Sequence, residues 1–131
     1  MFMWNKDDLN PEQEAAILKP GSVFLIACPG SGKTRTLTYK IAYELSRLKS
    51  NKQFVVAITY THRAAVVMLE RIESLGGLGV DTSGLWIETI HSFCLEWILK
   101  PYGIYHEALD RGFRVIDQHE REKILEALCK P

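Results

Sequence analysis

Residues 22–37, SVFLIACPGSGKTRTL, decide the fold of this 131-residue chain. The stretch opens on Val23, Phe24, Leu25 and Ile26, an apolar run too short for a helix of its own and of the right length for a buried strand. Cys28, Pro29, Gly30, Ser31 and Gly32 interrupt it, and from Lys33 the apolar positions Leu37, Ile41, Leu45 and Leu48 recur at helical spacing. A strand, a glycine-bearing loop and a helix in that order make a phosphate site. Glycine lets successive N–H groups curl inward without a Cβ clash, and the helix N-terminus adds partial positive charge, so a polyphosphate finds donors and field together. In such a site Lys33 reaches the β- and γ-phosphates as a mobile cation, and the Thr34 hydroxyl ligates Mg²⁺. The full phosphate-loop pattern asks for glycine where this chain has Ala27.

Upstream, Leu9-Asn10-Pro11-Glu12-Gln13 opens a helix, with Asn10 as N-cap, Pro11 at the first helical position and Gln13 at capping-box spacing. Read by itself, Gln13 is a structural cap. Downstream of the polar turn Lys49-Ser50-Asn51-Lys52, Phe54-Val55-Val56-Ala57-Ile58 is a second continuous apolar strand, the mark of a parallel sheet covered on both faces. It ends in Thr59-Tyr60-Thr61-His62-Arg63. Ala64, Ala65, Met68, Leu69, Ile72 and Leu75 then return to helical spacing, up to the stop Gly76-Gly77-Leu78-Gly79. Leu85-Trp86-Ile87-Glu88 reads as a short strand, tipped by Thr89-Ile90-His91-Ser92 and followed by a helix whose Phe93, Cys94, Trp97 and Ile98 face the core.

Ligands of open α/β sheets bind at the carboxyl ends of strands, so these polar tips point toward one crevice. Taken singly, His91 is a packed or hydrogen-bonded core histidine and Tyr60 an ordinary surface aromatic. Residues 113–116 read as a further short strand, and Asp117-x-x-Glu120 caps a last helix, a role that argues against Asp117 as a metal-binding acid.

Composition narrows the class. With 47% hydrophobic and 24% charged residues, the chain is one soluble domain's worth and can bury a core. Its formal net charge is +0, so bulk charge gives no vote for nucleic acid or membrane. The distribution is less even: between Lys19 and Arg63 eight Lys and Arg residues face only Glu44, which makes one lobe basic, as a solvated face or as a binding surface. Cys28, Cys94 and Cys129 are odd in number and lack paired spacing, which fits a reducing cytoplasm rather than a disulfide framework. The same lack of pairs speaks against zinc at His91, Cys94 and Cys129. Cys28 is either a thiolate beside a helix N-terminus or a loop filler. No secretion signal or membrane-length apolar run is visible.

Together these segments resemble the amino-terminal motor domain of superfamily 1 DNA helicases of the UvrD/Rep type. Leu9 to Gln13 is similar to their Q motif and Ala27 to Thr34 to motif I, where that family also places alanine first. Thr59 to Ala65 with Met68 resembles motif Ia, and Thr89 to Cys94 resembles motif Ib. The resemblance implies an α/β, RecA-like P-loop NTPase with a parallel sheet and helices on both faces. Residues 1–112 would be the front part of an incomplete first motor domain, and 113–131 the start of a helical segment or inserted subdomain.

It also implies roles for single residues. Gln13 would read the adenine edge. Ala27, Cys28, Pro29, Gly30, Ser31, Gly32, Lys33, Thr34 and Arg35 would hold ATP, with Thr34 on Mg²⁺ and Lys33 and Thr34 acting in catalysis. Tyr60, Thr61, His62, Arg63, Thr89, His91 and Ser92 would contact single-stranded DNA. Departures are Cys28-Pro29 for the usual small pair, His62-Arg63 for the usual Asn-Lys, and Val67 where an acid is common.

The family's next essential element, a strand ending in Asp-Glu, has no counterpart here. The expectation is therefore a cytoplasmic helicase segment that works with a second motor domain, moves 3′ to 5′ as part of the whole, and is inactive alone. The alternative is a naturally short nucleotide- or DNA-binding module without turnover.

Overall fold

In the computed structural model, which describes residues 4–5, 7–75 and 80–129, the first helix starts where the sequence puts its cap. Asn10 Oδ1 accepts the Gln13 N–H at 2.8 Å and Gln13 Oε1 accepts the Asn10 N–H at 3.0 Å, which closes the capping box on α1, Pro11–Leu18. Helix α2 runs over Lys33–Leu45. Strand β1 is Val55–Thr59, helix α3 His62–Ser74 and strand β2 Leu85–Thr89. The two strands pair in parallel, Val55 opposite Leu85 through to Thr59 opposite Thr89.

Residues 22–28 depart from expectation. They form no strand, and Phe24 and Ile26 are 89% and 85% exposed. An extended backbone presents N–H and C=O groups that only a neighbouring ladder can satisfy away from water. Among the described residues the sheet is β1 and β2 alone, and this run joins neither of its open edges.

The sheet itself is parallel, as expected, but covered on one face. Val55, Ala57, Leu85 and Ile87 lie under Ile41 and Leu45 of α2 and Met68 and Ile72 of α3. Val56 and Ile58, on the alternate face, stay half-exposed because α2 and α3 both put their apolar stripes on the same side. A second cluster packs Ile17 of α1 against Tyr39, Ala42 and Tyr43 of α2, with Trp4 and Leu75 alongside. Leu37, expected on the buried stripe of α2, is half-exposed. Thr36 and Thr38 are buried instead, their hydroxyls donating back to Gly32 O and Thr34 O. Lys40 spans the two helices: its Nζ donates to Ile17 O at 2.7 Å and Lys19 O at 3.2 Å, satisfying carbonyls left open at the end of α1.

The chain divides into two compact units, Met1–Phe93 and Cys94–Pro131. In the first, the short α4, Ile90–Phe93, follows β2, and the Phe93 ring meets Trp86 edge-on at 5.8 Å. In the second, Cys94–Leu99 winds as a π-helix, followed by α5, Lys100–Tyr102, a 3-10 turn over Gly103–Tyr105, and α6, Gln118–Leu128. The stripe Phe93, Cys94, Trp97 and Ile98 is not buried as expected: Phe93 and Cys94 are half-buried, and Trp97 and Ile98 are exposed on the π-helix.

Residues 113–116 are not a strand either. Asp117 caps α6 as expected, with its Oδ1 accepting the Glu120 N–H at 2.8 Å. The stop at 76–79 lies outside the described residues. Compactness thus ends the first unit at Phe93, whereas the sequence ends the motor-domain part at residue 112 by role.

Candidate nucleotide and nucleic-acid site

The loop between residues 27 and 33 takes its shape from two glycines. Gly30 and Gly32 sit at φ +81° and +82°, the left-handed region that side chains disfavour, and Gly32 is also the N-cap of α2. With Pro29 in the turn, the Ser31 N–H and Oγ both donate to Cys28 O, at 3.2 and 2.7 Å. Lys33 Nζ donates to Ala27 O at 2.9 Å and to Cys28 O at 2.7 Å, so its ammonium rests on the carbonyls of its own loop. Gln13 does more than cap α1. Its Nε2 donates to Ser31 O at 3.2 Å and lies so close that a Cβ on Gly32 would meet it at 2.8 Å.

Two openings flank this loop. One, of about 250 Å³, is lined by Asn10, Gln13, Ile26, Cys28, Ser31 and Lys33 among others. The other, of about 270 Å³, is lined by Gly30, Gly32, Lys33, Thr34, Arg35 and Arg71. Lys33 belongs to both. Arg35 also pairs with Asp8 at 3.2 Å. The Thr34 hydroxyl is exposed and has no hydrogen-bond partner among the described residues. Arg71 escapes sequence reasoning because nothing local marks it. Only the packing of α3 beside α2 brings it to the loop, although its place next to the buried Ile72 puts it at the edge of the packed face.

The register that sets Thr59 opposite Thr89 brings the other candidate residues together at the strand tips. Tyr60 is 93% exposed. Thr61 caps α3 by accepting the Ala64 N–H at 3.2 Å, and Thr59 Oγ1 donates to Thr61 O at 3.0 Å. Thr89 Oγ1 and Ser92 Oγ are 3.1 Å apart, and the Ser92 N–H donates to Thr89 Oγ1 at 3.2 Å. His91 is exposed, which overturns its reading as a core histidine, and Arg63 is exposed as well.

The residue joining the two tips is Glu88. Its Oε2 lies 3.1 Å from His62 Nδ1 and accepts the Thr89 N–H at 3.2 Å and the Ser92 hydroxyl at 3.4 Å. Partial desolvation pushes its pKa up, but the His62 and Thr89 hydrogen bonds, the His62 charge and the Ser92 hydroxyl together hold it below the ordinary glutamate value. Sequence reasoning passed over Glu88 as the polar end of a strand. Helix α3 begins at this cluster with His62 and reaches the loop with Arg71, about 13 Å of helix later.

Among the described residues, no three His, Cys, Asp or Glu side chains group to hold a metal, and no helix is long and apolar enough to cross a membrane. Fold and loop together define a mixed α/β chain with a glycine-bearing loop at the mouth of a helix. The chain belongs to the UvrD/REP helicase N-terminal domain family, which it matches over residues 9–131.

Curated relatives agree. The chain is 37% identical over 123 residues to the ATP-dependent DNA helicase PcrA of Bacillus subtilis, covering 93% of this chain and 16% of that protein. It is 36% identical over 121 residues to the ATP-dependent DNA helicase UvrD1 of Mycobacterium bovis, covering 92% and 15%. Against PcrA of Staphylococcus aureus it is 32% identical over 123 residues, covering 93% and 16%. The chain therefore spans only 15 to 16% of the length of these relatives.

Proposed function

We propose that this chain is the nucleotide-gripping and strand-contacting front part of an ATP-dependent DNA helicase with a RecA-like first motor domain. The observation that carries the reading is Lys33 on the glycine-shaped loop, lining openings on both sides of it. The opening beside Gln13 suits a base, whose edge the Gln13 amide can read. The opening with Thr34, Arg35 and Arg71 suits phosphates, where three cationic side chains and the start of a 13-residue helix converge.

A triphosphate would draw Lys33 from Ala27 O and Cys28 O onto its own oxygens, a charge-assisted exchange that favours the bound state. The exposed Thr34 hydroxyl fits Mg²⁺, an ion that neutralises developing charge on the phosphates. Tyr60 offers a stacking face to single-stranded DNA, while Thr61, His62, Arg63, Thr89, His91 and Ser92 line its path.

Turnover also needs an acidic pair for metal and water and an arginine from a second motor domain, and no Asp-Glu pair occurs in this sequence. The whole protein is thus a cytoplasmic 3′-to-5′ helicase of DNA repair, replication or recombination. Its residues 1–112 belong to the first motor domain, and the 131-residue chain alone binds nucleotide without hydrolysing it.

The test is Lys33→Ala in the complete protein, where DNA-stimulated ATP hydrolysis should fall by roughly 10²- to 10³-fold. Retained turnover would remove the loop as the phosphate site. Brisk hydrolysis by the isolated chain would mean that it contains its own metal-binding acid.

A further inference from the structure

Three donors converge on one oxygen of Glu88, and they come from both strand tips: His62 opens α3 after β1, while Thr89 and Ser92 follow β2. The carboxylate is only about a third exposed, with 30% of its side chain open to solvent, and the β1–β2 register holds its backbone, whose carbonyl lies 3.4 Å from Thr59 Oγ1. His62 is 73% exposed, so with Nδ1 turned to the carboxylate its other ring nitrogen, Nε2, is on the side open to a ligand. A fixed negative charge among residues that face a polyanion weakens binding by like-charge repulsion unless it organises something else. Here it organises both tips at once.

We infer that Glu88 is a positioning residue that fuses the two strand tips into one nucleic-acid surface, setting His62 with Nε2 outward and holding Thr89 and Ser92 in register beside it. The inference rests on the reading of these tips as a single-stranded DNA path. Glu88 does not touch the nucleic acid. It acts through His62, whose imidazole it orients as a carboxylate orients any histidine that must present a defined nitrogen.

The sign of one substitution separates this role from plain electrostatics. Glu88→Gln keeps the shape and removes the charge. If Glu88 only repelled phosphate, the variant would bind single strands more tightly. As a positioning residue, its loss weakens binding of a fluorescent oligothymidylate to the full chain by roughly three- to tenfold at fixed salt. Most of that loss disappears when Glu88→Gln is made in a His62→Ala background, because the His62 part is then already removed and only the part carried through Thr89 and Ser92 is left. Unfolding midpoints of all variants, compared in urea, separate this coupling from a general loss of fold.

Binding that is unchanged or tighter in Glu88→Gln overturns the inference, and so does an equal loss in both backgrounds. If the unsubstituted chain does not bind the oligonucleotide, the single-strand reading falls, and ring nitrogen shifts of His62 in mildly alkaline buffer decide the remainder. An Nδ1–H tautomer that is lost in Glu88→Gln keeps Glu88 as the group that orients His62, whereas an Nε2–H tautomer in the unsubstituted chain overturns it.

Discussion

Residues 23–26, VFLI, and residues 55–58, VVAI, are nearly the same peptide in hydrophobicity and have opposite fates. The second forms most of β1, with Ala57 buried under α2 and α3 and a ladder to β2. The first forms no strand, with Phe24 and Ile26 in solvent. Apolar β-branched composition gives a segment the capacity to be a strand, but backbone pairing makes it one. The difference carries into function. The tip of the paired strand is held by Glu88 across the ladder, whereas the loop after the unpaired run is held mostly from within, by Ser31 and Lys33 on Cys28 O, with one bond from outside, Gln13 to Ser31 O.

The largest contrast is in stability. Ile72 is fully buried between α2 and the sheet, and Ile72→Ala should cost about 2 to 5 kcal/mol in urea unfolding. Phe24→Ala, at a bulkier but exposed side chain, should stay within about 0.5 kcal/mol of the parent. Comparable losses at the two sites would break the comparison, because Phe24 would then have to be packed.

Smaller effects sharpen the functional side. Tyr60→Ala should weaken single-stranded DNA binding by about 1 to 3 kcal/mol in fluorescence anisotropy at fixed salt, since an exposed ring at a strand tip is available to stack. An effect near zero would mean that the paired strand presents its tip to something other than bases.

The smallest effect is on pH. The folded pKa of Glu88 is depressed, so its contribution to stability is present above the ordinary glutamate range and is lost as pH falls through its lowered folded value. Acid should therefore loosen the strand tips, while the glycine loop, whose hydrogen bonds end on backbone carbonyls, should not respond. A carboxyl carbon titration of Glu88 with an ordinary midpoint would remove the link to His62, Thr89 and Ser92.

Much of this was legible beforehand, for identifiable reasons. The Asn10 and Asp117 caps, the glycine loop, α2, α3 and the parallel β1–β2 pair follow from signals contained within a few residues or from hydrophobic period. Gln13 reads as a cap from spacing, and nothing near it in sequence marks its second bond, to Ser31 O eighteen residues on. His91 was misjudged because a lone histidine is usually packed, and its exposure depends on where the short α4 turns after β2. Arg71 and Glu88 carried no local mark at all, since each acquires its role from an element distant in sequence.

The sequence by itself determined the chemistry of the loop, the capped starts of α1 and α6 and the polar composition of the strand tips, because a cap or a left-handed glycine is settled by atoms a few residues apart. Only the tertiary structure decided which apolar run became a strand, which face of the sheet was covered, and that Glu88 and His62 meet. Those outcomes depend on partners some thirty residues away, and no local pattern specifies whether such a partner is within reach.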